Sequence, residues 1–445
     1  MKANEKEAEL KEKSKKISII EGSAYSVSDG FGFRNITPYA LALGASNVVI
    51  GLLDSVPSLI GNLSQLFTNR LMERYSRKTI VVFSVFSQAI TWLLVLLPGV
   101  FYFIFDFNSA LSSGMLIAVY TLLVLSGAIA GPAWQSWMKD LVTSNIGTYF
   151  GRRNKICEFV GLIAMLTAGF ILDYFKQTKI FIGFFILFFF SFLFRNISGY
   201  MFTKKYEPKF KIMKEHYFSF FQFIKKMPSN NFGRFVIFDL LISFSTAIAA
   251  PFFAVYMLRE KGLSYFFYML ILICSSLSGL ASMTLWGKFA DNFGNRRVMK
   301  IAGLFIFLIP LFYALSFPFG GTGLFVFVAA LESFSGFIWA GFNLASSNFV
   351  YDAVSRERMA LCASYSTVLI SAGTFLGAAL GGFIASFNFI FPSLLIVFTL
   401  SAGLRMAAYL LMINRFREVR AVKDFSAKQF LIHFNLRSSK PIEAA

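Results

Sequence analysis

The chain has 445 residues, of which 56% are hydrophobic, 18% aromatic and only 15% charged. Soluble domains carry nearer a quarter charged residues, so this balance excludes a large water-soluble enzyme, a disordered chain and a disulfide scaffold. Cys157, Cys274 and Cys362 lie in apolar or helix-entry segments without CxxC spacing, which suits neither a metal site nor a disulfide framework.

Residues 1–19 form a charged tail, unlike a cleavable leader with its apolar core. Glu7/Lys11, Glu9/Lys13 and Glu12/Lys16 at i,i+4 spacing suit a short solvated helix there. Hydropathy then predicts twelve helices able to cross a ~30 Å hydrocarbon layer. Six lie near 20–43, 46–68, 79–105, 110–138, 156–175 and 180–202. Residues 203–231, with seven lysines, Pro208 and Pro228, read as a basic cytoplasmic linker. Six more helices follow near 232–257, 264–286, 298–317, 322–347, 360–386 and 389–414, and 415–445 form a second tail. The turns Gly44-Ala45-Ser46 and Phe387-Asn388 are so tight that the helices they join must be antiparallel neighbours. Phe425, Phe430, Leu431 and Phe434 among basic residues suit a membrane-surface segment or a disordered tail.

The net charge of +19 follows from where the 42 Lys and Arg fall. Thirty-five lie on the side holding the N-terminus, against Lys176, Lys179, Arg259 and Lys261 on the other; Arg34, Arg195 and Arg405 lie inside spans. Positive charge gathers on cytoplasmic faces, so both termini are expected in the cytoplasm. Anionic lipid, not nucleic acid, is then the expected partner.

The two halves repeat. Gly287-Lys-Phe-Ala-Asp291-Asn-Phe-Gly294-Asn-Arg296-Arg297 after the eighth span matches Asn69-Arg-Leu-Met-Glu73-Arg74-Tyr-Ser76-Arg77-Lys78 after the second, at an offset of 218. Asp140-Leu-Val142 and Asp352-Ala-Val354 match at 212, and Asp29/Asp239 and Arg195/Arg405 at 210. Offsets of this kind describe two parallel six-helix halves.

The 287–297 segment is similar to G-x-x-x-D-x-x-G-x-[RK]-[RK], the signature loop of the major facilitator superfamily, and the resemblance spans about 20–415. It implies an all-α membrane protein of twelve transmembrane helices in two pseudo-symmetric bundles, working as a monomer in the cell membrane by alternating access around a central site. In the first copy Asn69 and Ser76 replace the glycines and Glu73 the aspartate. Physically, Gly287 and Gly294 allow the bend or a close approach, and Asp291 suits the positive N-terminus of a helix in the opposite bundle. Arg296 and Arg297 are expected to pair with Asp352. Glu73, with Arg77 or Lys78 reaching Asp140, would serve the first half of such a cytoplasmic gate. Plain positive-inside charge would place the same basic residues there without a gate.

A charge at the membrane centre costs about 2.5–3.5 kcal/mol, so each needs a partner or a task. Matching depths suggest the ion pairs Asp29–Arg195 and Asp239–Arg405, one per half; alternatively one of these aspartates carries protons. Arg34, Asp54 and Glu332 lack counterparts at the repeat offset. Arg34 and Asp54 are expected to face each other. Glu332, with no obvious basic partner, is the first candidate for proton coupling, the alternative being a neutral, hydrogen-bonded carboxyl. Glu21, Glu158 and Asp173 sit near span ends, within reach of water. Pro38, Pro132 and Pro251 suggest kinks, and the glycines of 373–382 suit a moving interface.

A proton-coupled transporter of a small organic solute is the expectation, without cofactor or metal. Few polar residues are available to grip a sugar, which leans the reading to export, although Arg34 would equally serve uptake of an organic anion. The arginine in the fourth helix and the Gly-Pro pair in the fifth that mark drug-exporting relatives are missing. A non-transporting scaffold or sensor on the same fold is the competing class. An enzyme is disfavoured: His216 and His433 are the only histidines, and no phosphate-binding glycine loop is present.

Overall fold

The computed structural model describes residues 2–177, 179–208, 218–355, 358–387 and 390–422. His216, Asn388, Phe425, Phe430, Leu431, His433 and Phe434 lie outside them. The first half comprises α1 (Lys2–Phe31), α2 (Ile36–Ala42), α3 (Asn47–Arg74), α4 (Arg77–Leu94), α5 (Leu97–Phe103), α6 (Ser109–Leu141), α7 (Ile146–Phe175) and α8 (Ile180–Thr203). A short α9 (Phe220–Lys226) leads to α10 (Asn231–Ala247), α11 (Ala250–Val255), α12 (Tyr265–Phe293), α13 (Asn295–Ile306), α14 (Leu308–Leu315), α15 (Gly321–Ala353), α16 (Met359–Ala385) and α17 (Ser393–Met412). Among the described residues there is no strand.

Ten spans among the described residues are long and apolar enough to cross a membrane. The two remaining segments, near 20–43 and 46–68, are helical as α1–α2 and α3, but Asp29, Arg34, Asp54, Asn62 and Gln65 dilute their hydropathy. The charged tail is no separate helix: α1 runs unbroken from Lys2 to Phe31, and Lys11 meets Glu7 at 3.0 Å.

Breaks recur at equivalent places. The first span of each half bends before Pro38 and Pro251, the third near Pro98 and Pro310. Proline lacks the N–H that would continue the ladder and crowds the carbonyl four residues back. Pro132, in contrast, lies inside the continuous α6.

Packing repeats as well. In the first half α1 lies on α7 and α8, α3 and α4 on α6, and α4 on α8. In the second α10 lies on α16 and α17, α12 and α13 on α15, and α14 on α17. The halves meet along two seams, α3 on α16 and α7 on α12, which exchange under the same pseudo-twofold.

Small residues make the seams close. A Cβ on Gly382 would come 3.1 Å from the Asn47 carbonyl, and one on Gly169 2.9 Å from Phe266 Cα. Gly373 and Gly377 instead back onto Leu240 and Phe244 of α10, and Gly381 onto Ile248 just past its end. Most of the glycine run therefore serves packing within the second half rather than a moving interface.

The cores show how the halves join. At the end away from the N-terminus of α1 one apolar core draws on both halves, from Phe31, Tyr39 and Phe188 to Tyr256, Tyr313 and Phe398. At the near end the cores are separate, one around Phe235, Trp286 and Phe349 and the other around Val85, Trp137 and Phe202. The core common to both halves thus lies at the far end, while at the near end Leu66 of α3 packs against the core of the second half.

Candidate functional site

Arg77, 1% exposed, organises the near end of the first half. Its Nη1 donates to Asp140 at 2.6 Å and to the Ser136 carbonyl at 3.0 Å, while Nη2 donates to the Pro208 carbonyl. Glu207 approaches Arg77 Nε at 3.6 Å and accepts from the Lys78 N–H at 3.3 Å. Lys78 Nζ donates to the Lys205 carbonyl. Glu73 is exposed and joins no ion pair among the described residues.

The second half builds the same knot from different residues. Asn295 stands where the repeat places Arg77, and its amide donates to Asp352 at 2.7 Å. The missing positive charge comes from Arg420, whose Nε donates to Asp352 at 2.6 Å and whose Nη1 lies 3.7 Å from Asp291. Glu418 accepts from the Arg296 N–H at 2.7 Å, as Glu207 does from Lys78. Arg296 donates onward to the Ile413 carbonyl. Two expectations are corrected here. Asp352 is met by Asn295 and Arg420, not by Arg296, because the Arg296 side chain turns toward the end of α17. Asp291, 76% exposed, faces Arg420 of its own half rather than a helix of the other. Arg297 lies in the first turn of α13.

Gly294, at φ +91°, makes the turn into α13, a conformation that favours glycine. Ser76 in the first copy instead sits in extended geometry and caps α4 through its hydroxyl, accepting from the Thr79 N–H at 3.1 Å. Gly287 is not crowded: an added Cβ would have only Leu344 at 4.0 Å.

Beside this knot Glu21, expected within reach of water, is 3% exposed and meets Arg153 at 3.3 Å and Lys205 at 3.7 Å. Lys205 lies just past α8, and its ammonium stands 4.9 Å from the ring centroids of Trp137 and Phe202. Burial lowers its pKa to about 8, with Glu21 opposing the shift.

The central charges do not pair as depth suggested. Asp29 accepts from Arg34 Nε at 3.4 Å, not from Arg195. The intervening break lets Arg34 fold back: Gly32 packs under Trp92 and a 3-10 turn follows at Phe33–Asn35. Arg195 instead lies 4.7 Å over the Tyr25 ring and 3.5 Å from the Ser198 hydroxyl. Asp239 accepts from Ser346 at 3.1 Å rather than from Arg405. Arg405 turns to the Ile306 and Thr246 carbonyls and the Ser401 hydroxyl, tying α17 to α13 and α10.

Glu332 accepts from the Tyr313 hydroxyl at 2.8 Å. Ser275 stands beside it, and the charge it feels is that of Arg405. A basic neighbour therefore exists, though beyond ion-pair distance. Tyr268 lies within electrostatic reach of both Arg34 and Glu332. Asp54 is exposed at mid-helix, and Tyr120 lies in its field together with Asp29, Tyr25 and Arg34. Asp54 does not pair with Arg34, which Asp29 holds.

The far end is shut by polar contacts across the seams. Asp173 accepts from the Tyr265 and Phe266 N–H groups at 2.8 Å each, capping α12 from the other half. Arg259 donates to the Ala45 carbonyl and, at 3.2 Å, to Asn47, whose amide donates to the Ala385 carbonyl at 2.7 Å. Asn62 donates to Ser371 at 2.6 Å further along the α3–α16 seam. Sequence reasoning missed Arg259 and Asn47 and set Asp173 aside as a span-end acid. It also missed the tyrosines, although a hydroxyl in an apolar span is itself a signal that a polar partner is near.

Two like six-helix halves around a shared centre are the architecture of a membrane transporter. The Major Facilitator Superfamily model matches residues 23–236 and again 235–442, so the chain belongs to that family. The fold is similar to that of the nucleoside transporter NupG, at 15% identity and TM-score 0.65 over 92% of this chain and 99% of that one. It is also similar to a bacterial homologue of the iron transporter ferroportin in its inward-facing state, at 14% identity and TM-score 0.63 over 92% and 98%. A search of curated protein sequences finds no match.

Proposed function

We propose that this transporter moves a small organic solute by alternating access, coupled to protons through Glu332. The observation that carries the reading is the single core shared by both halves at one end against separate cores at the other. Charged side chains, Asp29, Arg34 and Glu332, lie toward the centre, where rocking would expose them to each side in turn. Glu332 supports the coupling role by geometry: the Tyr313 hydroxyl donates to it at 2.8 Å, and Tyr268 lies within electrostatic reach of both Glu332 and Arg34. The aromatic surroundings of the centre support an organic solute.

We take α1–α2 and α3 as the first two of twelve spans, the near end as cytoplasmic with both termini, and the membrane as the cell membrane, on the distribution of positive charge. The near-end knots then belong to a cytoplasmic gate that stands open. An organic-anion permease built on Arg34 has less support, because Asp29 already engages that guanidinium.

The test is flux in proteoliposomes under an imposed pH gradient with a panel of organic solutes. Wild type should accumulate a solute against its gradient. Glu332→Gln should still exchange that solute at equilibrium but lose accumulation. Accumulation undiminished in Glu332→Gln would overturn the coupling role.

A further inference from the structure

Of the central carboxylates, Asp29 is held by Arg34, and Glu332 shares the field of Arg405. Asp239 has no counter-charge but accepts from Ser346, whereas Asp54 has neither a counter-charge nor a hydrogen-bond donor among the described residues.

This carboxylate does not face lipid. Gly51, nearly one turn earlier, packs against Ala378 of α16, and Gly61, two turns later, packs against Val124 of α6. With 3.6 residues per turn, Asp54 points between those two directions, into the gap separating α6 from the second half. Tyr120 lies in its field, and Phe33 stands 6.2 Å from the Tyr120 ring, with Trp92 5.0 Å behind Phe33.

An unmatched carboxylate beside aromatic faces is the chemistry that holds an ammonium. Coulomb attraction between opposite charges favours the bound cation, and the ring quadrupole adds to it. An anion would meet like charge there, and a neutral solute would leave the carboxylate without compensation.

We infer that the solute is an organic monocation with an aromatic or otherwise apolar body, its cationic group held by Asp54 and Tyr120. This rests on the transporter reading and adds the charge class and the recognising residues. Glu332, on the other half, is left to the proton.

The test is binding to the purified full-length protein in detergent, followed by tryptophan fluorescence and thermal shift. The probes are benzyltrimethylammonium, whose charge is permanent, uridine as a neutral solute and benzoate as an anion. Benzyltrimethylammonium should saturate a site that the other two do not occupy. Its affinity should fall about tenfold or more in Asp54→Asn and by a smaller factor in Tyr120→Leu. Asp54→Glu, which keeps the charge, should stay within about threefold of wild type and controls for misfolding of the asparagine variant. Preference for benzoate or uridine, no cation binding, or cation affinity unaltered in Asp54→Asn would each overturn the inference. Thiol labelling from the two sides of the membrane needs no solute and judges the transport reading separately. A protein that alternates yet binds no cation keeps that reading and loses this one.

Discussion

The cap that Asp173 places on α12 joins the two halves, so removing it should open the far end. Asp173 accepts from two backbone N–H groups at 2.8 Å. A hydrogen bond to a charged group contributes about 1.5–3 kcal/mol, and losing a side-chain N-cap costs about 0.5–2 kcal/mol. Asp173 is only half-buried, so water compensates part of the loss, and about 2 kcal/mol is the working figure. If the cap exists only while the far end is closed, Asp173→Ala shifts the closed-to-open ratio about 30-fold, at 1.4 kcal/mol per factor of ten. Spin labels on the exposed Lys179 and Glu260, one on each half, in a background without native cysteines, report the separation by pulsed electron resonance. Wild type should show one short distance, and Asp173→Ala should add a substantial longer population. An unchanged distribution would refute the assignment of the cap as a closing contact.

Other outcomes follow from the same contacts. Gly382→Val should wedge the α3–α16 seam, because its Cβ has the Asn47 carbonyl at 3.1 Å, and should lengthen the same label distance. Asp239 and Arg405 should show a coupling energy under about 0.5 kcal/mol in a double-mutant cycle read by thermal unfolding; a value above about 1.5 kcal/mol would restore the ion pair that depth suggested. Arg405→Leu alone should destabilise by about 3 kcal/mol, since two buried acceptors and one part-buried one lose their donor. Lys205 has its pKa lowered from 10.5 to about 8, so between those values the unfolded chain binds the extra proton and stability rises with pH. The rise is about 3 kcal/mol, and Lys205→Met should flatten it.

Fold class was legible in the sequence because apolar length, charge sidedness and repeat offsets each report one physical constraint. The pairings were not. Depth along a helix says nothing of direction around it, so Asp29 and Arg195 matched in depth while the Gly32 break swung Arg34 onto Asp29 instead. Asn295 hid the second copy of the Arg77 knot, because its charge is supplied by Arg420, beyond the last span. Arg77 and Asp140 were readable because both sit at fixed ends of neighbouring helices, where few geometries are open to a short connection. Asp173 is a lone acid in sequence, and only the seam with α12 gives it a partner.

The central claim is that residues between the halves face each side in turn. Tyr25, exposed near the end of α1, is the reporter: Tyr25→Cys in an otherwise cysteine-free chain, treated with a membrane-impermeant maleimide in right-side-out and inside-out vesicles. The account predicts labelling from the near side, and labelling from the far side that rises when Asp173→Ala is added. Labelling confined to one side in both backgrounds would contradict alternating access.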